Sequence, residues 1–365
     1  MQVAYRSDVL GSLIRPPALV QARAALQAGK LGLAEFKVFE DRAVDQAIAL
    51  QECAGLDVVT DGEMRRLAFT DHLRASVEGV APGSGDVTPK FHGATDEAVM
   101  PGMGVVVDRL RRRRMLTPEE FTYARARARR PVKVTLPSPL LVYPMWSSAR
   151  SREAYRDIFE LFADGERLIR EEAQELAALG CTYIQVDAPD LGTLVDPAHR
   201  ERVATVGMTA ARMLSEGLEI VNSVAGIPGV TFGLHLCRGN QGARWIGRGD
   251  YDVIADAVFR KASNYDVLLL EYDDERSGSF EALRSVPDDK VVVLGLVSTK
   301  RADLESPEQV EARVAEAARY FPRDQLALST QCGFSPGVTG KSPASEETQQ
   351  AKLSLVAEVA RRVWG

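Results

Sequence analysis

The chain has 365 residues, 45% hydrophobic and 26% charged, with a formal net charge of −6. That supports a large core and excludes the basic footprint of a nucleic-acid-binding domain. No apolar run approaches the ~20 residues of a membrane span. The start, MQVAYRSDVLGSL, lacks the plan of a secretory leader, and four scattered cysteines fit reduced thiols in the cytoplasm better than a disulfide framework.

Short apolar runs alternate with longer amphipathic ones. In chain order the predicted strands are DVLGSL (8–13), LDVVTDGE (56–63), VKVTLPSP (132–139) and TYIQVDAP (182–189), then TFGLHLC (231–237), VLLLEYD (267–273), VVVLGLVS (291–298) and LALSTQCGF (326–334). Helical patterns lie between them. FEDRAVDQAIALQECAG and GERLIREEAQELAALG each close on a glycine, and SPEQVEARVAEAARYF opens with Ser306 as N-cap, Pro307 in the first turn and Gln309 completing a capping box. Eight apolar strands joined by crossover-length helices predict an α/β fold, a parallel (β/α)8 TIM barrel forming one domain over residues 1–365. Residues 80–130 break the rhythm and read as a hairpin insertion after the second strand. Its arginine-rich stretches, Arg109–Arg114 and Ala124–Arg130, read as solvated faces offset by nearby acids.

A barrel of this kind places its chemistry at the C-terminal strand ends. Here those ends carry Ser12, Glu63, Pro139, Asp187, His235 with Cys237, Glu271, Ser298 and Cys332. His235 and Cys237 are two apart on one strand and share a face. Alone, such a pair is more often a core histidine beside a buried cysteine than a metal site. With Cys332 and Glu271 at matching strand ends it becomes a candidate Zn2+ site of four donors, His235, Cys237, Glu271 and Cys332. Cys53, in an amphipathic helix, and Cys181, before a strand, read as small buried hydrophobes. His72, His92 and His199 fall in loop or helix contexts. SPGVTGKS (Ser335–Ser342) nearly spells a phosphate-binding loop but lacks the leading glycine, and no GxGxxG follows a strand.

The ordered set LGSLIRP, VVTDGEMRR, VTLPSP, QVDAPDL, HLCRGN, LLLEYDDERSGSFE, VVLGLVSTK and QCGF resembles the catalytic C-terminal half of cobalamin-independent methionine synthases, and more closely their short single-barrel relatives. The resemblance covers nearly the whole chain. It implies a zinc enzyme that alkylates a bound thiol, with His235, Cys237, Glu271 and Cys332 matching the zinc ligands. Asp187 and Glu63 match contacts to the homocysteine amino group, and Ser12 a contact to its carboxylate. Trp146 falls near a tryptophan that stacks on the folate ring. Two departures bear on the methyl donor: the chain lacks the half that helps hold a folate polyglutamate tail, and Val297 stands where the family has a histidine proposed as proton donor.

The ligand chemistry predicts the reaction. A free thiol with pKa near ~8.5 is mostly protonated at neutral pH, and zinc coordination deprotonates it. Glu271, the hardest donor, is the ligand expected to yield as the thiol enters. The partners implied are a small-molecule thiol and a methyl or alkyl donor, with no nucleic acid or membrane. Three functions follow: methyl transfer to homocysteine, alkyl transfer to another thiol as in epoxyalkane:coenzyme M transferases, or a non-catalytic zinc-binding barrel. The acids at the strand ends favour the first, because a sulfonate would call for cations.

Overall fold

A computed structural model describes residues 3–93, 103–335, 337 and 342–365. In chain order its strands are β1 (Ser7–Asp8), β2 (Val77–Ala81), β3 (Val105–Arg112), β4 (Val134–Pro137), β5 (Tyr183–Asp187), β6 (Thr231–Leu236), β7 (Val267–Glu271), β8 (Val291–Val297) and β9 (Leu326–Thr330). Seven of them form one curled parallel sheet in the order β1-β9-β8-β7-β6-β5-β4. From β4 to β9 each strand pairs in parallel with the next, and β9 then pairs with β1. Such parallel neighbours need crossovers, and the helices at Ile158–Ala178, Asp252–Lys261 and Pro307–Ala317 lie on them.

The strand expected at 56–63 is not formed. Only Val59 bridges Val132 in parallel, while the Asp57 N–H reaches the Ser7 carbonyl at 3.2 Å. The cause is local. Both backbone groups of Thr60 are taken by the Gln51 side chain, at 2.8 and 2.9 Å. Gly62 and Glu63 then adopt positive φ and turn the chain out of the ladder. β1 is likewise shorter than expected: the Val9 N–H donates to Asp8 Oδ1 at 2.6 Å and the Leu10 N–H to Thr330 Oγ1 at 3.3 Å.

β2 and β3 pair antiparallel, with a register shift between Glu78 and Val80. The helix Thr117–Arg127 follows. The arginines here are balanced by acids: Arg111 meets Asp108 at 2.9 Å, Arg112 meets Glu172 at 2.7 Å, and Arg127 meets Asp45 at 3.4 Å. Most of the Ser335–Ser342 stretch lies outside the described residues.

Helix ends follow their capping chemistry. The helix Leu33–Ala54 stops at Gly55, at φ 87°. Asp157 caps the next long helix by accepting from Phe159 and Glu160 N–H, and Ser306 with Gln309 forms the capping box read from the sequence. Cys53 corrects an expectation. It is exposed, because Ala47, Gln51 and Ala54 hold the inward face of its helix.

Strand alternation divides the apolar residues in two. Leu268, Leu270, Val292, Leu294, Leu326 and Leu328 pack outward into the large core beneath the helices. Val267, Leu269, Val291, Val293 and Ala327 join Leu10 in a small inner cluster. The rest of the interior is polar. Lys133 Nζ donates to Asp8 Oδ1 at 2.6 Å and to the Val9 carbonyl at 2.8 Å, and Tyr183 Oη donates to Asp8 Oδ2 at 3.2 Å.

Lys133 and Asp8 are almost wholly buried. Asp8→Ala should therefore destabilise the fold by about 3–5 kcal/mol, because it strands an ammonium inside the sheet. Adding Lys133→Met should recover most of that loss. Urea midpoints of the two variants check both parts.

Candidate metal and thiol site

His235, on the inner face of β6, pairs in register with Leu269. Its Nδ1 lies 3.1 Å from the Leu269 carbonyl oxygen. A carbonyl only accepts, so Nδ1 carries the proton and Nε2 keeps its lone pair. Nε2 is buried and has no partner. Cys237 follows β6 on the same side and Cys332 follows β9. One donor atom from each of these three residues lies within 4.8 Å of the others, the one such group among the described residues.

Surrounding contacts hold this cluster in place. The Asn240 side chain donates to the Gly333 carbonyl at 2.7 Å and so ties the two cysteine loops together. A Cβ at Gly333 would sit 2.6 Å from Ser12 Oγ, so glycine lets β1 and the Cys332 loop approach. The two cysteines perturb one another. The Cys237 thiol donates to Cys332, which holds Cys332 well below the usual thiol range and drives Cys237 well above it. Burial alone would lower His235, but the neighbouring Cys332 and Asp187 outweigh that and raise it. Two thiols beside a free imidazole nitrogen are a donor set from which a soft divalent cation displaces the thiol protons.

Glu271 ends β7 beside this cluster but outside the 4.8 Å group. Its Oε1 accepts from Lys300 at 3.0 Å and Arg276 at 3.4 Å, and its Oε2 from the Arg238 N–H at 2.9 Å. Burial favours the neutral carboxyl, yet Lys300 and then Arg276 pull it down to about 2. The strand pattern did not single out Lys300 or Arg276. Val297 packs into the outer core, and Lys300, three residues on, faces the site.

A cavity of about 510 Å³ opens over the cluster, with Ser12, Glu63 and Asp187 in its wall beside His235, Cys237 and Cys332. Ser12 Oγ and Glu63 Oε2 are buried without partners, like His235 Nε2. Buried polar atoms seldom go unpaired, so these mark where a ligand's polar groups fit. Glu63 holds φ at 57°, a strained value for a non-glycine residue. Its Oε1 accepts from Thr135 at 2.9 Å, and Arg66 stands 3.7 Å away. Burial, reinforced by Asp187 and opposed by Arg66, pushes Glu63 up to about 7. Asp187 accepts from Gln185 at 2.6 Å and is raised by burial against the pull of His235.

The remainder of the wall is largely apolar: Leu67, Phe69, Phe91, Met103, Leu141 and Tyr143. Trp146 is buried in the core and does not line the cavity. Phe91 and Met103 come from the segment between β2 and β3, which is pinned across the mouth by paired backbone bonds between His92 and Trp245 at 2.7 and 3.1 Å. No periodicity marks these aromatic residues, so the sequence offered no signal for them. His72 and His199 are buried, His92 stacks on Trp245, and none joins the metal cluster.

Residues 7–361 match the family described as the catalytic domain of cobalamin-independent synthases. The chain belongs to that family. It is 33% identical to the uncharacterised protein YxjG of Bacillus subtilis (strain 168) over 365 residues, 99% of this chain and 95% of that one. A methionine synthase of Saccharolobus solfataricus is 26% identical over 337 residues, 90% of this chain and 87% of that one. The family fold is also that of a solved B12-independent methionine synthase from Shewanella sp. W3-18-1, with a TM-score of 0.75 at 20% identity, covering 100% of this chain and 98% of that one.

The state of Glu63 has a measurable consequence. Its folded value, about 7, lies above the ordinary 4.5, so the native state keeps a proton that the unfolded chain releases first. Stability should be fully present below pH ~4.5 and decline by ~3 kcal/mol as pH climbs to ~7. Glu63→Gln should remove that decline. Urea unfolding of both proteins at pH 5 and pH 8 checks it: the variant should gain on the wild type only at the higher pH.

Proposed function

We propose that the chain is a zinc-dependent S-methyltransferase that methylates the thiol of homocysteine. The observation that carries this reading is one cavity holding both a His–Cys–Cys donor set and unpartnered polar atoms on Ser12 and Glu63. We read the curled sheet, with residues 57–59 lying between β1 and β4, as a (β/α)8 barrel of one domain, carrying β2 and β3 as an inserted hairpin. No helix among the described residues is long and apolar enough to cross a membrane. Cysteines that must stay thiolates suit a reducing compartment such as the cytoplasm.

The three donors fit Zn2+. They are soft or borderline, and they sit within reach of one another, with His235 and Cys237 buried and Cys332 partly exposed. Zinc at that site supplies the Lewis acidity that keeps a substrate thiol deprotonated at neutral pH. The chain's own residues do the rest. Asp187 and Glu63 bind the ammonium, Ser12 donates to the carboxylate, and the amino-acid end is thereby fixed beside the donor set. An ammonium entering between the two acids also stabilises their charged forms, offsetting the burial that raises them. The apolar half of the cavity takes the methyl donor and excludes water, so the methyl group passes to sulfur rather than to solvent.

Metal analysis of the purified chain should give close to one zinc per chain, and Cys332→Ala should lose it. Methylation assays with homocysteine and several candidate donors then test the activity itself; absence of both zinc and turnover overturns the reading. Asp187→Asn keeps the shape but removes the charge partner. A charge-assisted hydrogen bond is worth roughly 1.5–3 kcal/mol, so homocysteine affinity should fall on the order of ten- to a hundredfold. Zinc content should not change, and a thiol without an amino group should bind both proteins alike.

A further inference from the structure

The cavity holds a third acid that the amino-acid end of a thiol substrate leaves unused. Asp190 stands three residues past Asp187, in the short turn Pro189–Gly192. It is 3% exposed, Ser138 Oγ donates to its Oδ2 at 3.0 Å, and its Oδ1 has no partner. We propose that Asp190 is the general acid of the methyl transfer, donating a proton from Oδ1 to the leaving nitrogen of an N-methyl amine. This rests on the zinc–thiol reading above and names the class of methyl donor for it.

The turn that carries Asp190 is fixed by backbone contacts. The Ala188 N–H donates to the His235 carbonyl at 2.8 Å, and a Cβ at Gly192 would lie 2.4 Å from the Cys237 carbonyl oxygen. The turn thus rests on the main chain of β6 and its end, whatever the side chains there hold. On its other side, Ser138 caps the segment Pro139–Met145 by accepting from the Leu140 N–H at 3.2 Å. Leu141, Tyr143 and Pro144 of that segment line the apolar part of the cavity. Asp190 therefore joins the apolar wall to the strand ends that hold the thiol.

The three cavity acids differ in their charged neighbours. Burial raises all of them, but Arg66 and Arg15 oppose it at Glu63, and His235 and Lys133 oppose it at Asp187. At Asp190 only its own backbone N–H and Ser138 do so, and it is pushed up to about 7. A carboxyl so placed keeps its proton near neutral pH and can still release it. Because Oδ2 accepts from Ser138, the proton belongs on Oδ1. An amine nitrogen does not leave as an anion, so it needs that proton as its bond to carbon breaks. The substrate sulfur attacks the methyl carbon, the S–C bond forms, and the C–N bond breaks with its electron pair going to nitrogen. The Asp190 proton goes to the same nitrogen. The products are a thioether and a secondary amine, and the Asp190 carboxylate regains a proton from water. A sulfonium or halide donor leaves without a proton and would leave Oδ1 buried with no bond to make, which is unfavourable.

The test compares the zinc-loaded wild type with Asp190→Asn, using homocysteine and two donors. The leaving nitrogen of 5-methyltetrahydrofolate needs the proton, whereas the iodide of methyl iodide does not. In the variant, the ratio of the 5-methyltetrahydrofolate rate to the methyl iodide rate should fall on the order of a hundredfold. Asp190→Glu, which keeps an acid, should restore part of that ratio. Zinc content, measured alongside, should match the wild type and show that the site is intact. An unchanged ratio, whether the two rates fall together or not at all, gives Asp190 a structural role only and overturns the inference. So does a wild type that uses methyl iodide but not 5-methyltetrahydrofolate, a result that leaves the S-methyltransferase reading standing. A wild type that takes up no zinc and methylates homocysteine with neither donor overturns both.

Discussion

A parallel strand covered by helices on one side can present its other side only to the inside of the curl, and β5, β6 and β7 follow that constraint residue by residue. Leu234 and Leu236 go out to the core, so His235 goes in, and Cys237 stays on the inner side. Ile184 and Val186 go out, so Asp187 faces the cavity. Leu268 and Leu270 go out, so Glu271 goes in. A shift of one residue in any of these strands would bury a charge among the helices and expose a leucine to the cavity. Outward apolar packing therefore fixes the position of the reactive groups.

Within that frame, the buried charges of the mouth fall into two groups. Glu271 is paired with both Lys300 and Arg276, as Arg66 is with Glu120, their closest contact 2.7 Å. Ser12, Glu63 and His235 each keep a buried atom without a partner. The first group holds shape; the second is incomplete without a ligand. Asp190 belongs with the second. It lines the cavity, accepts from Ser138 at 3.0 Å, keeps Oδ1 unpaired and is pushed up to about 7 by burial.

The apolar runs of β4 to β9 were legible because a strand buried on both faces writes itself as a continuous hydrophobic stretch. The residues of the candidate donor cluster, His235, Cys237 and Cys332, were legible for the same reason, being polar residues at the ends of such runs. Residues 56–63 have the same composition but form no strand, because Gln51, outside the run, captures Thr60. Lys300, Phe69 and Phe91 were not legible as site residues. Each sits in a connection, where position is set by which loops fold over the mouth rather than by any period. Trp146 shows the converse. Its type suggested a stacking surface, while its place after β4 puts it in the core.

The charge pattern around the cavity also bears on which thiol the site selects. Among the described residues, the cations in its wall are Arg23 and Arg74, and each already faces an acid: Glu40 at 3.4 Å and Asp71 at 3.2 Å. Beside the metal donors stand Glu63 and Asp187, both raised by burial and both stabilised by a cation placed between them. A thiol ending in a sulfonate would set a fixed negative charge against two carboxyls with no cation free to meet it. An amino-acid thiol brings the ammonium that the pair lacks. Under the proposed function, selectivity would come as much from the anion the site repels as from the cation it holds.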